Sequence, residues 1–244
     1  MLRASLLSSL VALSLIPACA ETTPIDELAG ESSADGEEGK GDSEAAFGFF
    51  AVTPDLRACS LDARCGGFFV SRPNRASTIC GRGSQGARCY VDTLDFSGTA
   101  LPGSVAKSFE DRIRNGETLL LRGDIAPAAN DAGSSLHITE VWTSGSETGV
   151  VDGVFVLVKD NGIRCITAPC PSLSEFRLNS NRFAQIHEVD LSPSGAGEDT
   201  IDRASEDLFD EGVIVVGDRF YPNKRSKGRA ANQFFTKAPT PLHF

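Results

Sequence analysis

The chain has 244 residues, 41% of them apolar, with 24 Gly, 12 Pro and 15 Phe and a formal net charge of −10. That is enough apolar mass for a core, and the Gly- and Pro-rich, Val- and Phe-containing composition favours strands and turns over long helices. The acidity argues against general nucleic-acid binding, and it is local: nine acids against Lys40 between Ala20 and Ala46 leave only −3 on residues 47–244.

Residues 1–19 read as an export signal. Arg3 supplies the charged start and Leu6 to Ile16 the apolar run, which is too short for a membrane-spanning helix. The run ends in Ile16-Pro17-Ala18-Cys19, which resembles the lipobox of bacterial lipoproteins. That resemblance makes Cys19 the acylated first residue of the mature chain, anchored in a membrane by its lipid. The alternative is ordinary cleavage at the small-residue site Ala18-Cys19-Ala20, giving a freely secreted protein.

Residues 20–46 read as a disordered acidic tether, sparse in apolar residues and rich in like charges. A calcium site is the other use for clustered acids, but the spacing lacks the order of an EF-hand loop.

Six Cys follow the leader, an even number that in an exported chain points to disulfides. Close spacing favours the local pairs Cys59–Cys65, Cys80–Cys89 and Cys165–Cys170. The competing use is a zinc site built from Cys59, Cys65, Cys80 and Cys89, whose irregular spacing fits poorly.

The body reads as one unit written twice, residues 47–149 and residues 150–244. "AFGFFAVTPD" and "VDGVFVLVKD" are apolar runs ahead of a Cys pair, and "LDFS" is matched later by "VDLS". A helical segment follows in each copy. Val105, Phe109 and Ile113 fall at i, i+4, i+8, while Ile201, Ala204 and Leu208 fall at i, i+3, i+7. Ser104 and Asp199 are the expected N-caps, and Gly116 and Gly212 the expected left-handed C-terminal residues. Strands ending in Gly123-Asp124 and Gly217-Asp218 come next, with the Gly-Asp pair read as a turn. "SLHITEVWTS" and "ANQFFTKA" supply the last strands. Cys80–Cys89 pins an extra hairpin in the first copy.

Three strands, a helix and two strands is the order of an OB-type barrel. The expected fold is therefore mainly β, with two tandem OB-like five-stranded modules, each with one helix, divided near Gly149. A continuous two-sheet sandwich is the alternative. Taken with the lipobox, the "GKGD" element and the clasps "CGGFFV" and "RCITAPCPS", the chain resembles an uncharacterised domain family of exported lipoproteins in Gram-negative bacteria. The resemblance implies an envelope address, with an outer-membrane lipoprotein as the expected form, and brings no activity.

Catalytic signatures are sparse. His137 and His187 fall in predicted strands at positions that do not correspond between the copies, and His243 is next to the C-terminus. No nucleophile elbow, phosphate loop, zinc-protease motif or dinucleotide fingerprint is present. Asp202, Glu206, Asp207 and Asp210 are spaced for a solvated helix face, and Arg122-Gly123-Asp124 reads as strand-end chemistry rather than an adhesion tripeptide. Lys224, Arg225, Lys227 and Arg229, between the last two strands, are the candidate binding cations for polysaccharide or an envelope protein. The expected function is non-catalytic binding or envelope structure, with no enzyme activity, cofactor or metal. The alternatives are a protease inhibitor acting through the stiffened "CITAPCP" loop and a glycan-active enzyme using carboxylates.

Overall fold

A computed structural model describes residues 47–58, 65–127, 133–146 and 152–239. Cys19, the acidic tether, Cys59 and His243 lie outside them. The first half contributes β1 (Gly48–Pro54), β2 (Phe68–Ser71), β3 (Thr78–Ile79), β4 (Gln85–Gly86), β5 (Cys89–Val91) and β6 (Thr93–Asp95). These lead to α1 (Gly103–Arg114), β7 (Leu119–Pro127) and β8 (Ser134–Ser144). The second half contributes β9 (Val154–Asp160), β10 (Leu173–Arg177), β11 (Phe183–Ile186) and β12 (Glu188–Asp190). After them come α2 (Glu198–Asp207), β13 (Val213–Asn223) and β14 (Ser226–Lys237).

The protein is mainly β, but its halves are not two separate sheets. Twelve strands join one predominantly antiparallel sheet, whose main path β11-β10-β9-β13-β14-β8-β7-β1-β2-β5 is open at both ends. Two short parallel pairings, β6 with β8 and β12 with β14, lie off that path. At the expected boundary between the modules β8 pairs with β14, Thr143 with Thr236, so the sheet runs across it. Edge strands left unpaired would carry exposed N–H and C=O groups, and this pairing satisfies one from each half.

The helices dock as their spacing predicts. Phe109 and Ile113 are buried against the first-half core with Val105 beside them, and Ala204 and Leu208 against the second with Ile201. Gly116 and Gly212 take left-handed φ of 89° and 86°, as helix C-termini require. The N-caps differ from expectation. α1 is preceded by Pro102 and α2 by Gly197, and neither makes a side-chain cap bond. Ser104 and Asp199 lie inside the helices instead, where Glu198 and Asp199 face the positive end of the α2 dipole.

The repeated Gly-Asp pairs are not turns. Gly123 and Gly217 sit in mid-strand, where the registers of β7–β8 and β13–β14 shift by one residue. A Cβ at Gly123 would overlap the carbonyl oxygen of His137, and one at Gly217 that of Ala230. Glycine is needed for close approach at a bulge.

A third apolar cluster binds the halves together: Leu120, Trp142 and Leu178 with Phe155, Ile214, Val216 and Phe235, flanked by Phe49 and Ala51. Two asparagines close its ends reciprocally. Asn179 Oδ1 accepts from Phe49 N (2.9 Å) and its Nδ2 donates to Phe49 O (3.0 Å). Asn74 Oδ1 accepts from Phe155 N (2.9 Å) and its Nδ2 donates to Phe155 O (2.7 Å). Both have left-handed φ (57° at Asn179 and 62° at Asn74), which Asn tolerates better than most residues. Each half thus reaches across and pairs the first strand of the other.

Candidate functional site

The predicted cations divide between surface and interior. Lys224 and Arg225 form the exposed tip of the β13–β14 hairpin, where Asn223 Oδ1 accepts from Arg225 N at 2.8 Å. Neither makes a side-chain ion pair with the described residues. Lys227 is half-buried, and its main chain is paired: its N–H donates to His187 Nδ1 (3.0 Å) and its carbonyl accepts from His187 N (2.8 Å). Arg229 points inward with 5% exposure, so the surface cluster is Lys224, Arg225 and Lys227 without it. Lys227 and Arg229 stand two residues apart on β14, and Arg229 differs because its guanidinium is held inside by Glu175 and the carbonyl of Gly217.

Arg229 belongs to a buried charge group that sequence reasoning missed. Its Nε and Nη2 donate to Glu175 Oε2 at 2.9 and 2.7 Å, and its Nη1 to Gly217 O at 2.8 Å. Arg219 Nε donates to Glu175 Oε1 at 2.7 Å, and its Nη2 contacts the same oxygen. Glu175 is 2% exposed, so one buried carboxylate bridges two guanidiniums, the buried Arg229 through one oxygen and the partly exposed Arg219 through the other.

Two disulfides have both cysteines among the described residues. Cys80 is bonded to Cys89 and Cys165 to Cys170, with Cα–Cα separations of 5.4 and 5.5 Å. Cys65 is also disulfide-bonded, its expected partner Cys59 lying outside the described residues. A zinc site from these cysteines has no thiolates to use. Ahead of Cys59 and of Cys165 an Asp–Arg pair braces the chain. Arg57 donates to both Asp55 oxygens at 2.8 Å, and Arg164 to both Asp160 oxygens at 2.9 and 3.0 Å. The hydrogen bond from Arg57 holds the Asp55 carboxyl below the usual range, and that from Arg164 does the same for Asp160. At the second clasp Asn161 Nδ2 donates to Pro171 O (2.8 Å), leaving Ile166 fully exposed at the loop tip.

The remaining candidates are dispersed. His137 lies 3.5 Å from Asp124, and Arg122 pairs with Glu140 at 3.0 Å across β7–β8, so Arg122-Gly123-Asp124 is a strand interior and not a displayed loop. Asp202, Glu206 and Asp210 are exposed around α2. Asp207 is held above the ordinary carboxylate range by burial and then by Asp210 and Glu206. No group of metal-ligating side chains forms among the described residues.

Aromatic and guanidinium groups share the outer surface of β2 and β5. Arg88 lies 4.1 Å and Arg57 5.0 Å from the Phe69 ring, and Tyr90 meets Phe69 edge-on at 5.7 Å. On β10 and β11 the exposed Phe176 and Phe183 stack at 6.0 Å. Such surfaces can hold a planar or sugar-like ligand, and they can equally shield a strand pair.

No curated protein and no solved structure matches the chain. A family model does, over residues 48–240, which takes in every described strand and both helices. The chain therefore belongs to the family described as a domain of unknown function, DUF6748.

Proposed function

We propose that this chain is a non-catalytic protein of the bacterial cell envelope, lipid-anchored at Cys19, that displays two disulfide-stabilised OB-like modules as a binding surface. The observation that carries this reading is the cationic tip Lys224–Arg225, held out on the paired strands β13 and β14 and backed by Lys227. In an OB-type barrel the loop between the last two strands borders the ligand face. An anionic polysaccharide or an acidic envelope protein is the matching partner.

Support for the barrels comes from a circuit of pairings. β1 pairs with β2 and β7, β2 with β5, β7 with β8, and β8 with β6, which follows β5 after Asp92. The second half repeats the circuit with β9, β10, β11, β12, β14 and β13. The same match, with equivalent bulges and clasps, supports an ancestral duplication. Disulfides support an oxidising, extracytoplasmic compartment.

Two measurements test the reading. The mass of the mature protein, before and after reduction and alkylation, reports acyl groups on Cys19 and three cystines. The variant Lys224→Ala/Arg225→Ala/Lys227→Ala should lose salt-sensitive retention on an anionic polysaccharide matrix. Unchanged retention would remove the hairpin from the proposal. A second reading rests on Ile166, an aliphatic side chain fully exposed on a clasped loop. As a protease-inhibitory loop it predicts inhibition that disappears on reduction and changes protease preference with Ile166→Arg.

A further inference from the structure

We propose that the outer face of β1, β2 and β5 is a binding site for a hexuronate unit of an acidic polysaccharide, with the Arg88 guanidinium as its carboxylate fork. Strand alternation builds the face. Thr53 pairs with Phe69 and Phe69 with Tyr90, which sets the three in one cross-strand row. Their strand neighbours Val52, Val70, Cys89 and Val91 are buried in the first core, so this row faces out. Arg88 stands two residues before Tyr90 and is exposed beside it.

Two guanidiniums reach the row, and they differ. Arg57 gives its Nε and Nη2 to Asp55, whose carboxylate is fully covered and presents no negative surface. Arg88 has no hydrogen-bond or ion-pair partner among the described residues and is held instead by the Phe69 ring, 4.1 Å away. A guanidinium positioned by a ring keeps its N–H donors for an oxyanion, in the planar fork that matches a carboxylate. Tyr90 accepts from Gly67 N at 3.2 Å, and its own hydroxyl proton has no acceptor among the described residues.

These donors call for an anion that also carries neutral acceptor oxygens. A hexuronate has both, a carboxylate for Arg88 and a ring hydroxyl for Tyr90. Residues two apart on a strand stand about 7 Å from each other, a separation that one sugar unit with its substituents bridges. A nucleobase fits less well, because the Phe69 ring is already taken by Arg88, by Arg57 at 5.0 Å and by the Tyr90 ring at 5.7 Å. The second half supplies the contrast. Strand register matches Phe69, Tyr90 and Arg88 with Ser174, Gln185 and Phe183, which puts no guanidinium at those positions. The inference depends neither on lipidation of Cys19 nor on the cationic hairpin.

The test is a titration of the full chain carrying Lys224→Ala/Arg225→Ala/Lys227→Ala, so that the hairpin does not contribute to binding. Trigalacturonate should bind, more weakly as salt rises, and should shift the Arg88 Nε–Hε resonance, while the neutral galactotriose does neither. In that background Arg88→Ala should weaken trigalacturonate binding about tenfold, the scale of a lost hydrogen bond to a charged group. Arg88→Lys should recover little of it, since an ammonium offers no planar fork. Gln185→Ala, at the matched position of the second half, should leave the affinity unchanged. The resonance shift needs no substitution at the site, so it decides the matter even where an Arg88 variant folds poorly. Equal affinity for Arg88→Ala and its parent, or an Arg88 resonance that stays in place, would overturn the proposal. So would hexaglutamate or hexathymidylate binding at Arg88 as tightly as trigalacturonate, which would assign the face to an acidic peptide or a single-stranded nucleic acid.

Discussion

Strand register matches Val70, Ile125 and Leu136 of the first half with Glu175, Arg219 and Arg229 of the second. The first three are buried apolar members of one core cluster, and the second three form the buried carboxylate-guanidinium group. The same backbone site therefore tolerates either dispersion contacts among aliphatic side chains or a satisfied ion group. The difference shows what each solution demands. Aliphatic side chains need only volume, whereas the charged group needs every partner in place, because an orphaned buried charge costs far more than a cavity.

The largest expected effect comes from breaking that group. Glu175→Ala leaves two guanidiniums facing each other with Arg229 desolvated, and should destabilise the protein by about 3–5 kcal/mol. Transplanting the first-half solution as Glu175→Val/Arg219→Ile/Arg229→Leu should instead be neutral or stabilising by about 1–4 kcal/mol. Urea midpoints of the two variants compare them directly. A mild single mutant would mean that water still reaches the group.

Next come the two bulges, where the halves agree. Gly123→Ala and Gly217→Ala each push a methyl into a backbone carbonyl that cannot rotate away. Each should cost about 3 kcal/mol, the upper end of overpacking penalties. A much smaller cost at one position would show that its bulge can relax and that the halves differ there.

The asparagine clamps sharpen the comparison from the seam. Asn74→Ala removes the acceptor of the Phe155 N–H, while the Phe155 carbonyl keeps Leu178 N, and Asn179→Ala removes the partners of both the Phe49 N–H and C=O, for about 1–3 kcal/mol apiece. If the halves unfold together, both should lower one cooperative thermal transition. Two separated transitions would show that the halves are energetically independent despite the shared sheet.

The smallest effect concerns acid. Asp55 and Asp160 are held below their ordinary range by Arg57 and Arg164, so each adds stability above the unfolded carboxylate value near 3.9. That contribution is lost as pH falls through the lower folded value. Asp55→Asn and Asp160→Asn should therefore flatten the stability profile below about pH 4 and leave its alkaline side unchanged. Because the Asp55 side chain is fully covered and that of Asp160 partly exposed, the first substitution should act more strongly.

The sequence alone determined what short-range physics controls. Helical spacing picked out Phe109, Ile113, Ala204 and Leu208, and a required left-handed φ picked out Gly116 and Gly212, because both signals lie within a few residues of the effect. Cys spacing likewise identified Cys80–Cys89 and Cys165–Cys170. Tertiary structure alone decided the rest. Gly123 and Gly217 looked like turns because the carbonyl each must accommodate belongs to another strand. Arg229 looked like a surface cation because its partner Glu175 lies 54 positions away. Asn74 and Asn179 carried no signal, since the main chain each one pairs begins on the opposite half. The fusion of both halves through Thr143 and Thr236 has the same origin. An edge hydrogen bond is blind to side-chain identity, so nothing in the residue pattern announces which edges will meet.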